Sequence, residues 1–113
     1  MRIRLNHAWD DIPMEFVDDV LEYLQARLQP THPLKGRKLF PVARRDRRDK
    51  LLLEDDDDGQ SVWILDFEAK RRIKGRMCFD CRQLQTQEDF DKMMSEEYED
   101  WVQQMKDAGA WDE

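Results

Sequence analysis

The sequence has few cysteines, no long apolar run and no recognisable catalytic motif. Its two cysteines, Cys78 and Cys81, are too few for the disulfide framework that holds small secreted domains together, which favours a reducing compartment. No apolar run approaches the length of about 18 residues that a membrane-spanning helix needs, and the first residues lack the apolar core of a secretion signal. These absences predict a cytoplasmic protein without a membrane partner.

Patterns for catalysis and metal binding are missing as well. His7 and His32 have no Ser, Cys or carboxylate at a recognisable catalytic spacing, so we expect neither an enzyme nor a cofactor. The Cys78-x-x-Cys81 pair lacks the further ligands of a zinc site, and in an unbroken strand one thiol would point into the core and the other outward. The acidic run from Glu54 to Asp58 lacks the spaced ligands of a calcium loop. We therefore expect no metal site.

The charges are sorted into blocks along a chain that is long enough for one small core. The net charge is −3 over residues 1–34, +6 over 35–50, −7 over 51–68, +5 over 69–82 and −8 over 83–113. Segregated charge favours charged partners over neutral ones and speeds encounter with them. We expect residues 1–113 to form a single domain whose function is to bind another macromolecule.

Apolar spacing predicts a helix near each end of the chain. From Ile12 to Leu28 apolar residues recur every three to four positions, which is the helical period, and Asp10 or Asp11 is expected to cap this helix. A second helix of about twenty residues is predicted to follow Thr86, which begins a pattern similar to a capping box, and to end at Gly109. Ser95 is a position at which this second helix could break in two.

Four short apolar segments between the helices predict an antiparallel meander. The segments are 39–43, 50–54, 61–67 and 76–79, and residues 2–5 are a weaker candidate for a fifth strand. Asp58-Gly59 is a tight-turn signal between the second and third strands, and Pro41 requires an edge or a bulge in the first. The predicted fold is therefore α+β, a four-stranded antiparallel meander with the N-terminal and C-terminal helices packed on one face.

The third predicted strand alternates in a way that bears on function. Trp63, Leu65 and Phe67 would share the face that the helices cover, which leaves Val62 and Ile64 exposed beside acidic residues on the other face. Apolar residues ringed by charge are typical of a binding patch. A partly buried central strand gives the same pattern, so both interpretations stay open.

In size, acidity and the order helix, meander, helix, the chain resembles the small immunity proteins that bacteria make to neutralise their own polymorphic or contact-delivered toxins. The nearest local likeness is Ser-Val-Trp-Ile-Leu-Asp-Phe at residues 61–67, followed by the acidic, aromatic helix after Thr86. The resemblance implies a tight one-to-one complex that covers the active site of a cognate toxin, often a basic cleft that binds nucleic acid or a nucleotide. These families share no diagnostic motif, so no functional residue is carried over from them.

The expected partner-binding residues come from the charge pattern of the chain itself. Acidic side chains would steer association, and apolar side chains would anchor the complex. The steering residues are Asp55, Asp56, Asp57, Asp58, Glu96, Glu97 and Asp100, and the anchors are Val62, Ile64 and Trp111.

Two alternative functions belong to other classes. A small acidic secretion chaperone would form a dimer and hold an extended segment of an effector protein. A nucleic-acid-binding module would use the basic residues of the segment 35–50. Because acidic blocks flank both basic blocks and the net charge is −7, we expect the basic residues to pair within the fold and do not expect nucleic acid as a partner.

Overall fold

A five-stranded antiparallel sheet separates two helices in the computed structural model, which describes residues 1–109. The strands are β1 (Trp9–Asp11), β2 (Leu39–Arg45), β3 (Lys50–Asp55), β4 (Val62–Ile73) and β5 (Arg76–Leu84), and they lie in this order across the sheet. Helix α1 (Val17–Arg27) lies between β1 and β2 in the chain, and helix α2 (Gln87–Asp107) follows β5. The predicted α+β class and the antiparallel meander are confirmed.

The fifth strand is β1, and residues 2–5 do not form a strand. Trp9 pairs with Arg45 and Asp11 pairs with Ala43, so β1 adds one edge strand beside β2. The prediction of four strands is therefore wrong, because it lacks this edge strand. Three residues are too few to show an alternating pattern, which explains why no strand was predicted at these positions.

The sequence correctly predicted a turn and a bulge that shape the pairing of the strands. Gly59 lies in the β3–β4 hairpin with a φ of 70°, a conformation that glycine adopts without steric cost, and Leu52 pairs with Ile64 across this hairpin. The β2–β3 pairing shifts between Pro41 and Ala43. Pro41 has no amide to donate to the ladder, so the predicted bulge is confirmed.

The two helices pack on opposite faces of the sheet, so the prediction that both lie on one face is wrong. Leu51 and Leu53 belong to a core that includes Leu24 of α1, whereas Leu52 belongs to a second core under α2. These three consecutive leucines of β3 are at most 6% exposed. Successive side chains of a strand point to opposite faces, so such a run requires cover on both faces. The sequence therefore did contain a signal for three layers.

Helix α1 begins later than its apolar period predicted. A 3-10 turn at Met14–Phe16 precedes it, and no side chain caps the start of either segment. Asp10 and Asp11 lie in β1 instead, so the prediction that one of them caps the helix is wrong. The consequence is that these two carboxylates lie on an exposed edge strand.

Helix α2 runs from the end of β5 to the turn between β2 and β3. The Thr86 side chain accepts a hydrogen bond from the Asp89 N–H, which confirms the predicted cap, and the helix continues through Ser95 without a break. At its other end, the Trp101 indole N–H donates to the Asp46 carboxylate at 2.8 Å. Between these points the helix buries Phe90, Met93, Met94 and Trp101 against the sheet.

Candidate partner-binding surfaces

Asp55, the first of the four consecutive aspartates in the β3–β4 hairpin, is buried. Asp55 is 1% exposed, and it accepts hydrogen bonds from the Arg37 guanidinium at 2.6 Å and from the Trp63 indole N–H at 2.9 Å. Burial raises the pKa of Asp55, but these two hydrogen bonds, a third from the Asp57 amide and the charge of Arg37 together hold the pKa below its usual value. The expectation that Asp55 faces solvent as a steering residue is wrong.

The other three aspartates of this hairpin, Asp56 to Asp58, are exposed, as predicted. Asp58 accepts hydrogen bonds from the Ser61 hydroxyl and from the Ser61 and Gln60 amides, and these bonds lower its pKa. Asp57 accepts a hydrogen bond from the Lys38 amide at 3.2 Å. Asp56 makes no side-chain hydrogen bond or ion pair within residues 1–109. Most of this hairpin's charge is thus available at the surface, although two of its carboxylates also shape the loop.

A buried arginine uses two of the acidic residues that were expected to bind a partner. The Arg45 side chain is 0% exposed, and its Nη2 atom lies 2.7 Å from the Asp100 carboxylate. Nη2 also donates to the backbone oxygen of Glu97 at 2.9 Å, and Nη1 donates to the Gln104 side chain at 3.1 Å. The Glu97 carboxylate lies 3.1 Å from Nε. Arg45 thereby connects β2 to helix α2.

Two further cations complete this group. Arg48 donates to both oxygens of Asp100, at 3.0 and 3.2 Å, and the Lys50 ammonium lies 3.0 Å from Glu97. The hydrogen bond from Arg48 is the main cause that lowers the pKa of Asp100. We call Arg45, Arg48, Lys50, Glu97 and Asp100 the Arg45 cluster. Its three cations neutralise its two carboxylates, so Glu97 and Asp100 lend little free negative charge to the surface.

The remaining predicted residues have different environments. Glu96 is exposed and makes no ion pair in the described part of the chain. Val62 and Ile64 are 2% and 7% exposed and lie in the core under α2, so the expectation that they are exposed is wrong because α2 covers their face. Trp111 lies outside the described residues, and its proposed role stays a prediction.

The two cysteines are both buried free thiols, so the expectation that one points outward is wrong. The loop after α1 covers the open edge of β5, where the Thr31 hydroxyl lies 3.7 Å from the Cys78 sulfur. Burial raises the pKa of Cys81 and keeps its thiol protonated. Across residues 1–109, no group of three or more His, Cys, Asp or Glu side chains is arranged to hold a metal ion.

A different acidic surface keeps its charge free. Residues 10–23 contain six acidic residues and no Lys, Arg or His. All six are exposed, and none lies within ion-pair distance of a cation in residues 1–109, although Asp10 faces the exposed Arg44 across the β1–β2 pair. We define the acidic N-terminal face as these six residues with two exposed neighbours: Asp10, Asp11, Glu15, Asp18, Asp19, Glu22, Met14 and Phe16.

The two neighbours make this surface more than a solvated acidic run. Met14 is 74% exposed and Phe16 is 51% exposed, although each would stabilise the protein by about 1.5–3 kcal/mol if it were fully buried. Apolar side chains within a charged rim are typical of a protein interface. Phe16 is one of the apolar residues that recur at the helical period from Ile12 to Leu28, so the period alone predicts that it is buried. A long acidic run without a base was the signal that could have identified this face.

Neither a membrane span nor a known relative assigns a role to these surfaces. No helix within the described range is long and apolar enough to cross a membrane. Comparison of the chain with protein families, with curated proteins and with solved structures finds no match. The choice among the surfaces therefore depends on their geometry and charge.

Proposed function

We propose that this protein is an inhibitor of the immunity class, which binds a cognate toxin and covers its active site with the acidic N-terminal face. The observation that supports this proposal best is the combination of six unpaired carboxylates and two exposed apolar side chains within residues 10–23. In this proposal the carboxylates steer the approach of the toxin, and the apolar side chains set how long the complex lasts.

Charge complementarity defines the partner surface. The six carboxylates make no ion pair within residues 1–109, so most of their charge stays free, and their field extends over about 8 Å at physiological salt. A basic cleft on the toxin, of the kind that binds nucleic acid or a nucleotide, complements such a face. Neutral or acidic proteins are disfavoured, because the desolvated carboxylates would find no partner there.

The internal ion pairs explain why the proposed contact moves away from helix α2. To bind a toxin, Glu97 and Asp100 would have to leave Arg45, whose side chain is 0% exposed. A buried guanidinium without its partners is costly, so these acids are better suited to hold the fold together. Asp56–Asp58 and Glu96 stay in the proposal as exposed charges that add to the field without forming the contact.

The first experiment tests the function itself. The chain is co-expressed with the product of a neighbouring reading frame that ends in a toxin-like domain, and cell survival is measured. We expect rescue of the cells and a one-to-one complex of the two purified proteins. Failure to rescue together with failure to bind would overturn the proposal. A dimer of this chain that holds an extended segment of its partner would identify a secretion chaperone instead.

The second experiment tests the surface. D18N/D19N removes two charges from the acidic N-terminal face, and E88Q/E99Q removes two exposed charges from α2 as the matched control. We expect D18N/D19N to slow association by about tenfold at low salt and to flatten its salt dependence, because steering charges act on the association rate. F16A should instead speed dissociation. Equal association rates for the two double variants would reject the proposed contact surface.

A further inference from the structure

The β4–β5 hairpin extends beyond the rest of the sheet as a two-stranded ribbon. The pairing of β4 with β3 ends at the pair of Lys50 and Asp66. The pairing of β4 with β5 continues further, from the pair of Lys70 and Phe79 to the pair of Ile73 and Arg76. All charged residues between positions 69 and 79 are basic. We call this part of the hairpin the basic ribbon, with its five cations Lys70, Arg71, Arg72, Lys74 and Arg76.

Four of these five cations make no ion pair with any residue from 1 to 109. Arg71 is the exception, since its Nε atom lies 2.8 Å from the Asp80 carboxylate at the base of the ribbon. Arg72 donates to the backbone oxygen of Gly75 at 3.1 Å, which holds its guanidinium close to the turn. All five side chains are exposed. The ribbon therefore presents uncompensated positive charge to solvent.

The negative charge of the rest of the molecule is screened at the end of the ribbon. A strand rises about 3.3 Å per residue, so the four residues from Asp80 to Arg76 on β5 place the end of the ribbon about 13 Å beyond the Asp66/Asp80 pair. The Debye length at physiological salt is about 8 Å. The nearest acids along the two strands are Glu68 and Asp80, at the base. The whole-chain charge of −7 is thus a poor guide to what the ribbon attracts.

We propose that the basic ribbon binds double-stranded nucleic acid through its phosphates. Lys70 and Arg72 share one face of the ribbon with their cross-strand partners Phe79 and Met77. Arg71 and Arg76 share the other face with Cys78. A two-stranded ribbon fits the major groove, which is about 12 Å wide and has a phosphate backbone on each side. Because Cys78 and Phe79 are buried, the part that can enter the groove is the end of the ribbon beyond them, and cations on both of its faces would each reach a phosphate.

An acidic protein segment fits this arrangement less well. A peptide that adds to the ribbon meets one face or one edge, so about half of the cations would stay without a partner. The contact would be to the backbone of the nucleic acid, and we expect little dependence on base sequence.

The test measures the affinity of the full chain for a short fluorescent DNA duplex, by fluorescence anisotropy at several salt concentrations. The slope of log affinity against log salt is about −0.9 per phosphate neutralised, so four contacts give about −3.6. We expect affinity to fall by about 150-fold between 50 and 200 mM salt, a fourfold change in concentration. No binding of the wild-type chain at low salt would overturn the proposal.

Two double variants with the same change in net charge locate the contact. R72Q/R76Q removes two exposed cations from the ribbon, and K92Q/K106Q removes two exposed cations from α2. We expect R72Q/R76Q to bind more weakly with a slope of about −1.8, so that affinity falls only about 12-fold over the same salt range, and K92Q/K106Q to behave like the wild type. Unchanged circular dichroism shows that each variant is folded.

Two results would overturn the assignment to nucleic acid. Equal slopes for the two double variants would mean that the duplex binds elsewhere. Binding of polyglutamate in place of the duplex, lost in R72Q/R76Q, would identify an acidic protein as the partner. Because the ribbon and the acidic N-terminal face share no residue, the toxin-binding experiments and these experiments succeed or fail independently.

Discussion

Arg45→Met tests whether the buried Arg45 cluster holds helix α2 on the sheet. Arg45 has the largest fully buried side chain in residues 1–109. Its guanidinium contacts Glu97, Asp100 and Gln104, all of which lie on α2. Methionine fills most of the volume of the arginine stem but makes none of these polar contacts. The substitution therefore removes the connection between β2 and α2 and leaves most of the apolar packing in place.

The expected loss of stability is about 3 kcal/mol. Removal of one partner of a buried ion pair costs about 3–5 kcal/mol when the other charge stays buried and unpaired. Here Glu97 keeps Lys50 at 3.0 Å, and Asp100 keeps Arg48 at 3.0 Å with a side chain that is 39% exposed, so the lower end of that range applies. For a domain of this size, about 3 kcal/mol corresponds to a decrease of about 12 °C in Tm.

Urea unfolding followed by tryptophan fluorescence measures this free energy. Arg48→Gln is the matched control, because it removes the same charge from the same cluster at a side chain that is 39% exposed. We expect the control to cost less than about 1 kcal/mol, as exposed ion pairs contribute little. Equal costs for the two variants would refute the idea that burial makes Arg45 important for stability.

Two further predictions concern buried polar groups. His32 accepts a hydrogen bond from the Leu34 amide at Nδ1, its Nε2 lies 2.9 Å from the Phe79 oxygen, and burial lowers its pKa below the usual 6.5. The unfolded chain therefore binds more protons below about pH 6.5, so stability is full above that pH and falls as the pH decreases, by up to about 1.4 kcal/mol per pH unit. His32→Asn should flatten this decrease in urea unfolding at pH 5 to 7, and an unchanged slope would contradict the assignment. Asp55→Asn should cost about 2 kcal/mol in the same assay, because it weakens two buried hydrogen bonds, whereas Asp56→Asn should stay within about 0.5 kcal/mol; similar values for the two would contradict the buried role of Asp55.

The features that the sequence predicted correctly depend on neighbours in the chain. The Thr86 cap, the Asp58-Gly59 turn and the bulge at Pro41 each follow from the conformation or hydrogen bonding of a few consecutive residues. The face on which each helix packs depends on distant residues instead. The run from Leu51 to Leu53 indicated that both faces are covered, but an assumed two-layer fold concealed that signal.

The candidate site was harder to predict, because ion pairs within the fold join distant parts of the chain. Arg45 and Asp100 are 55 positions apart, and no local pattern shows that one neutralises the other. Asp55 and Trp63 are closer in sequence, but their hydrogen bond depends on the register of the β3–β4 hairpin. The acidic residues chosen from the sequence therefore included several that the fold itself uses.

The fold determines which charges stay free for partners. The basic block at 35–50 and the acidic helix α2 meet on one face of the sheet, and Arg45, Arg48 and Lys50 neutralise Glu97 and Asp100 there. The basic ribbon escapes such pairing because β4 and β5 extend beyond the end of β3. Within residues 1–109, only Arg71 of the ribbon forms an ion pair, with Asp80 at the base. The acidic N-terminal face escapes it because residues 10–23 contain no cation and all six of their carboxylates are exposed. These two surfaces have opposite charge and share no residue, which is why we propose a separate partner for each.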